Sequence, residues 1–475
     1  MSERAPGLAG TGPGAPVVGP GGGGVCLALA LALGLLRFFQ LGEWSLWYDE
    51  VITLADSHHG TENLYNPLGY LAIRGTVALL GGTPDEFSLR FLPALLGWLS
   101  VPLTYWAFRP FAGGRRAGLA ALLVALSAWS LYWSQNARFY TMAQVTTLIG
   151  SGLYLRGFFQ FSLVRVLLGA LIVGAAAVLQ LQAALLFGAL VLTPWVLHLT
   201  GFKLDPRTRK AALALLGLAA LGALVRVTWL FGVWATYQRE KADTSIVGFA
   251  LSTGFYVTPI LGTGFLVGAV QSFRDRDRSA VFATLVVVVG VLAAIALSIF
   301  ARVTAQYVFV LLPWIALVAA WPVGGLRAPA PRCAYALLLA LPALANTGLY
   351  FSVRHGERPR WRDAYLYAWN SHEEGDLVMG MAAAIGEYYI HPGHTDLRNP
   401  EVISWLDKHR GTLPARWVRH DRRAWIVIQP ENLKDWKSAD REAFRRFLQE
   451  ECRLMRRFPA PAEGRDLSVE VWLKE

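Results

Sequence analysis

The chain has 475 residues, of which 54% are apolar and only 16% charged, with 18 Trp among them. This is the composition of a membrane protein rather than a soluble one. The net charge of +11 resides in five short loops, where fourteen Lys and Arg stand against three Asp, so no clustered basic face is left over for a nucleic-acid partner.

Residues 1–24 are rich in Gly, Pro and Ala without apolar periodicity, and are expected to form a disordered cytoplasmic leader. The first apolar run, Val25 to Phe39, lacks the basic flank of a cleavable signal and reads as a crossing. Further apolar runs begin near Phe91, Ala117, Tyr140, Leu163, Ala183, Ala211, Gly248, Ala280, Tyr307 and Ala334. About eleven transmembrane helices are therefore predicted between residues 25 and 351. The basic loops, Arg109–Arg116, Arg156–Arg165, Lys203–Lys210, Arg274–Arg278 and Arg327–Arg332, alternate with loops poor in Lys and Arg. By the positive-inside rule the amino terminus is cytoplasmic and everything after Phe351 is external. A long first external loop, residues 40–90, contains the amphipathic run Asn66 to Arg74, which reads as an interfacial helix. Residues 352–475 carry 21 basic and 20 acidic residues, a soluble balance. Strands are expected at Asp376–Met381, Ala424–Ile428, Arg453–Phe458 and Ser468–Leu473, with helices at Arg362–Ser371, Glu401–His409 and Ser438–Glu450. This is one external α/β domain. Cys26, Cys333 and Cys452 offer neither metal spacing nor a disulfide.

The acidic pair Asp49-Glu50 lies just beyond the first crossing, beside Trp44, Trp47 and Tyr48, whose rings suit the bilayer interface. Adjacent carboxylates are costly near lipid and point to a polar cavity or a reacting centre. At the start of a short helix the dipole keeps them ionised. Neighbouring helical side chains diverge by about 100°, so one acid is available as a base while the other orients. The segment Ser134 to Tyr140 places Arg138 and Tyr140 at the external end of the third crossing, and Ala301 to Tyr307 places Arg302 and Tyr307 before the tenth. Either arginine also suits a snorkelling role. Asn66 and Arg74 add polar groups from the external loop, with Arg90 beyond them. Acids and arginines at one membrane face suit the transfer of a sugar from a lipid phosphate. Arginine neutralises the departing phosphate, a carboxylate takes the proton of the attacking hydroxyl, and a helical bundle holds the lipid tail.

The stretches Leu46-Trp47-Tyr48-Asp49-Glu50, Asn66-Pro67-Leu68-Gly69-Tyr70-Leu71, Phe87 to Gly97, Tyr132 to Tyr140, Tyr307 to Pro313 and Arg360-Trp361-Arg362-Asp363-Ala364 occur in one order along the whole chain. In that order they resemble the bacterial GT-C membrane glycosyltransferases, in the group similar to protein O-mannosyltransferases and lipid A aminoarabinose transferases (glycosyltransferase family 39-like). The resemblance implies a GT-C-like bundle in a bacterial inner membrane and a polyprenyl-phosphate sugar donor. It also implies inverting transfer to an envelope acceptor (lipid, lipopolysaccharide, glycan or protein), with Asp49 as base. Glu50 accompanies Asp49 in the catalytic pair, and Asn66, Arg138, Tyr140, Arg302 and Tyr307 form the expected substrate-binding set. Two positions depart from the family pattern: Asn136 stands where an acid is usual, and Asn66-Pro67-Leu68 where His-Pro-Pro is usual.

With that acid absent, no metal ligand is assigned and transfer is expected to be metal-independent, although a divalent cation stays compatible with the chemistry. His391-Pro392-Gly393-His394 reads as a surface turn more simply than as a ligand set. The competing reading is a lipid-linked sugar carrier or flippase. Such a carrier would favour midplane ionisable residues and related halves, and neither is apparent here.

Overall fold

A computed structural model describes residues 23–59, 66–203, 205–225, 246–299, 303–391, 396–406, 422–462 and 465–475, together with 228, 232, 393 and 394. Most of the leader, Arg226 and Arg302 lie outside the described residues.

Every one of the eleven apolar runs is helical where it is described. The first is α1, Gly24–Gly34, prolonged by a 3-10 turn to Phe38. Two helices of the following loop come next, α2 (Tyr48–His59) and α3 (Pro67–Leu79), the second with Pro67 in its first turn. A capping box starts α4, Glu86–Ala112: Asp85 Oδ1 accepts the Ser88 amide at 2.6 Å and Ser88 Oγ accepts the Asp85 amide at 2.9 Å. The bundle continues through α5 (Gly114–Leu126), α6 (Ala128–Ser134), α7 (Tyr140–Phe159), α8 (Leu163–Leu179), α9 (Ala183–Leu199) and α10 (Pro206–Val225). It ends with α11 (Ile246–Val257), α12 (Pro259–Arg274), α13 (Arg278–Ser298), α14 (Leu312–Ala319) and α15 (Pro329–Ser352).

Among the described residues, four helical spans are long and apolar enough to cross a membrane unbroken, and six if two bent pairs each count as one. Both bends depart from the straight runs expected. The helices α5 and α6 meet at 60° about Ser127, and α11 and α12 at 92° about Thr258. Pro259 explains the second break, since proline removes a helical donor and drives the preceding residue out of the helical region. Thr258 sits at φ 65°.

Small residues set the closest packing. A Cβ on Gly169 of α8 would lie 2.4 Å from the Tyr154 nitrogen and 2.6 Å from the Gly150 oxygen of α7, so these backbones touch directly. The 305–324 span is 89% buried within the bundle, whereas α15 is only 17% buried and turns Leu337, Leu338, Leu341 and Leu344 outward. That outward apolar face suits lipid.

The carboxy-terminal domain follows as α16 (Trp361–Ser371), β1 (Leu377–Gly380), α17 (Ala383–Ile390), β2 (Ser404–Trp405), β3 (Ala424–Ile428), α18 (Ser438–Glu451), β4 (Cys452–Phe458), β5 (Pro461–Ala462), β6 (Arg465–Asp466) and β7 (Val469–Lys474). Its five-stranded sheet has the order β2-β1-β3-β7-β4, parallel from β2 to β3 and antiparallel thereafter; β5 and β6 form a separate hairpin. All of β3 is buried, as suits a central strand covered on both faces, while β7 alternates buried and half-buried positions. The four expected strands are present. The helix expected at Glu401–His409 is not: residues 401–403 bend and Ser404–Trp405 pair with β1, while 407–409 lie outside the described residues. The apolar spacing of Val402, Ile403 and Leu406 fits a helix, but Gly380 offers β2 a parallel partner, and the ladder prevails.

Candidate active site

The site grows from the first turn of α2. The amides of Glu50 and Val51 bond the Trp47 carbonyl, and the Glu50 side chain reaches back to the Trp47 amide at 3.2 Å, closing half a capping box. That geometry turns Glu50 inward. It is fully buried, and its Oε1 accepts Arg90 Nε at 2.8 Å and the Ala137 amide at 2.8 Å. Its Oε2 accepts Arg90 Nη2 at 2.7 Å and lies 3.7 Å from Arg358 Nε. Burial opposes ionisation of Glu50, but Arg90 and Arg358 outweigh it and hold the carboxyl below its ordinary range. Arg90 spends its remaining donors on the Leu41, Trp44 and Ser45 carbonyls. Arg358 bonds the Gln135 carbonyl. Glu50 thus ties α2, α4, the 135–139 linker and the approach to the carboxy-terminal domain into one knot.

Asp49, the adjacent residue, is half-buried, and among the described residues no hydrogen bond or ion pair engages its carboxylate. Its backbone carbonyl accepts Thr53 Oγ1 at 2.8 Å and Arg138 Nη1 at 3.4 Å. Arg138 Nη1 also donates to Thr53 Oγ1 at 2.9 Å, and the Asp49 charge acts on this guanidinium. The Tyr70 hydroxyl of α3 bonds both Arg138 and Asp56, and burial pushes it up to about 12, so it stays protonated. Asp49, Thr53 and Asp56 share one face of α2, at the spacing of successive helical turns. Arg138 Nε is buried and without a hydrogen-bond partner among the described residues, as is Asn136 Nδ2. Asn136 Oδ1 accepts the Trp47 indole at 3.1 Å, so the residue in the family's acidic position braces the loop.

The other expected site residues lie on separate elements. Asn66 stands at the N-cap position of α3, its side chain making no capping bond there. Tyr140 opens α7, its ring 3.8 Å from that of Trp133 and 6.3 Å from that of Phe309. Phe309 shares a 3-10 segment, Ala305–Leu311, with the half-buried Tyr307. Arg302 lies outside the described residues. Arg74 is exposed on α3. His58 and His59 close α2 rather than lying in a loop. Above α2 sits the carboxy-terminal domain. Trp405 of β2 meets Tyr48 edge to face at 6.2 Å, Arg398 pairs with Asp56, and the Tyr389 hydroxyl accepts the Leu46 amide at 2.7 Å.

Sequence reading alone did not single out Asp56, Tyr70, Arg358 or Arg398. The one local signal was the spacing of Asp49, Thr53 and Asp56; the partners come from three other elements.

No family model and no curated protein matches the sequence. Solved structures do match. The crystal structure of ArnT from Cupriavidus metallidurans in the apo state superposes with a TM-score of 0.52 at 13% identity, over 94% of this chain and 97% of that one. The fold is that of the GT-C glycosyltransferases. The same ArnT bound to undecaprenyl phosphate gives 0.51 at 14% identity over the same shares. Archaeal oligosaccharyltransferase AglB from Archaeoglobus fulgidus, in complex with an inhibitory peptide and a dolichol-phosphate, gives 0.50 at 12% identity over 86% of this chain and 69% of that one. These GT-C structures share the arrangement found here, a multi-pass helical bundle carrying a carboxy-terminal soluble domain.

Proposed function

We propose that the protein is an integral-membrane glycosyltransferase that moves a sugar from a polyprenyl-phosphate donor to an envelope acceptor at the external membrane face, with inversion. The observation that carries this reading is the contrast within one helical turn. Glu50 is saturated by partners and fixes the helix, while the Asp49 carboxylate is unengaged and half-exposed beside a guanidinium. A base must reach the proton it takes and be ionised to take it. In this reading the half-exposed Asp49 carboxylate, in the first turn of α2, is the group within reach of that proton.

Arg138 supplies positive charge to the departing phosphate, with Arg302 as its expected second, and its unpartnered Nε is a donor waiting for an acceptor. In this reading Asn66, Tyr140 and Tyr307 complete the substrate-binding set, from the start of α3, from α7 and from the Ala305–Leu311 segment. The lipid bound in the ArnT and AglB structures, undecaprenyl phosphate or dolichol-phosphate, is the donor class this reading adopts. A carrier would need ionisable groups deep in the bundle; the acids and arginines of the candidate site gather at its external end instead, which favours the enzyme.

The test is transfer by purified protein from a defined polyprenyl-phosphate sugar, identified from the lipid-linked sugars that accumulate when the gene is deleted. Asp49→Asn is expected to lower transfer at least about 100-fold with an unchanged Tm. A well-folded Asp49→Asn protein turning over at the wild-type rate would refute the assignment.

A further inference from the structure

A second cluster of ionisable side chains lies in the carboxy-terminal domain, where α17 ends and the chain turns toward β2. Glu387 of α17 is fully buried. Its Oε2 accepts the Val402 and Ile403 amides at 3.1 and 3.0 Å. Its Oε1 lies 3.0 Å from His391 Nδ1. Among the described residues no lysine or arginine pairs with this carboxylate. A fully buried carboxylate normally answers to a cation, either a basic side chain or a metal.

His394 is oriented as well. Its Nε2 faces the Asp396 and Asn399 carbonyls at 2.9 and 3.2 Å, which leaves Nδ1 as the free lone pair. A ring nitrogen donating to backbone carbonyls is the usual support for a metal-ligating histidine. The Glu401 carboxylate is 3.7 Å from that Nδ1 and largely exposed. One ligand atom each from Glu387, His391 and His394 comes together with no two more than 4.8 Å apart, and the two imidazole rings lie parallel at 5.3 Å. With metal–ligand bonds of about 2.0–2.2 Å in a tetrahedron, ligand atoms stand roughly 3.3 Å apart, so small side-chain rotations close the set.

We propose that Glu387, His391 and His394 form a zinc-type divalent metal site, with Glu401 or water in the fourth position. Two imidazoles and one carboxylate suit zinc and its late first-row neighbours rather than Mg²⁺ or Ca²⁺, which prefer oxygen-only sets. The site joins the last turn of α17 to the segment that carries Arg398, and Arg398 pairs with Asp56 on α2. α17 also carries Tyr389, whose hydroxyl donates to Glu86 Oε1 at 2.9 Å. The metal therefore clamps the part of the domain that docks beside the candidate active site. It lies apart from the residues given roles in the transfer proposed above.

The experiment uses the full chain purified in detergent with a tag free of histidine. After chelation and exchange into metal-free buffer, Zn²⁺ is titrated and Co²⁺ binding is followed by its tetrahedral d–d absorption, with metal content by mass spectrometry. The expected result is one Zn²⁺ per chain, a tetrahedral Co²⁺ spectrum and a rise in Tm on metal addition. His391→Asn and His394→Asn, chosen because neither side chain is fully buried, are expected each to weaken Zn²⁺ binding at least about tenfold and to lose the tetrahedral spectrum. Both variants should remain monodisperse without metal. Wild-type protein that takes up no Zn²⁺ or Co²⁺, or variants that bind as wild type does, would overturn the site; so would binding of Mg²⁺ or Ca²⁺ alone.

Discussion

The Glu50 carboxylate receives Arg90 through two nitrogens, two backbone amides and the field of Arg358, all in a setting closed to water. Removing its charge leaves two buried guanidinium groups with one fewer counter-ion, a loss of about 3–5 kcal/mol. Glu50→Gln is therefore expected to lower Tm sharply in detergent, with activity falling as folded protein is lost. Asp49→Asn should leave Tm alone, so the pair separates base from scaffold by thermal melt. A Glu50→Gln variant as stable as wild type would show the knot to be dispensable. A second residue-scale prediction concerns acid. His355 packs edge to face on Trp44 at 4.8 Å, and burial, with Arg360 nearby, lowers its imidazole from 6.5 to about 4. An unfolded chain protonates this histidine first, so between those two values it binds more protons than the folded one. Stability then falls as pH drops through that window, and the loss is complete below about 4. His355 has φ 50°, a conformation asparagine tolerates well. His355→Asn is expected to flatten the fall in Tm between about pH 7 and pH 4.5; an equally steep profile would place the acid sensitivity elsewhere.

At the scale of elements, the motif Asn66 to Leu71 has a physical reason for its glycine. A Cβ on Gly69 would lie 2.3 Å from Phe139 Cδ1 and 2.5 Å from its Cγ, so α3 lies directly against that ring. The Tyr70 ring meets Phe139 edge to face at 4.8 Å, and the Tyr70 hydroxyl bonds Arg138. Gly69→Ala must push Phe139 away, and Arg138 moves with its neighbour. The expected effect is a raised KM for the lipid donor with little change in Tm, measured on purified protein; unchanged kinetics would mean the ring yields without disturbing Arg138. The helices themselves were legible in the sequence, because a run of about 20 apolar residues has few alternatives in a bilayer. In the carboxy-terminal domain β7 was legible from its alternation and β3 as a short unbroken apolar run. What local pattern missed was the bend at Thr258, where an apolar run hides a backbone break, and α17, whose Ala383, Ala384 and Ile385 carry too little polar contrast to show a helical period. Asp49, Glu50 and Arg138 stood out because charge is conspicuous beside lipid. Arg358 and Arg398 did not, because their partners lie hundreds of residues away and arginine is ordinary in a soluble domain.

Across the whole molecule, the two halves meet through side chains that also serve the site. Arg358 reaches Glu50 and Gln135, Arg362 donates to the Glu43 carbonyl at 2.7 Å, and Trp405 meets Tyr48 edge to face. The carboxy-terminal domain therefore acts as a roof over α2 whose position sets that of the acids beneath. The pair most suited to testing this is Arg398 with Asp56, because Asp56 also bonds Tyr70 and Tyr70 bonds Arg138. Arg398 is more than half exposed, so the ion pair itself contributes at most about 1 kcal/mol to folding. Its effect should appear in catalysis instead. Arg398→Ala is expected to reduce transfer several-fold through KM for the donor, with Tm almost unchanged, and Asp56→Asn to do the same. Because the two side chains act as one unit, the double variant should cost no more than either single variant. Strictly multiplicative losses in that cycle would mean that Asp56 and Arg398 influence transfer separately, and that the roof does not reach Arg138 through them.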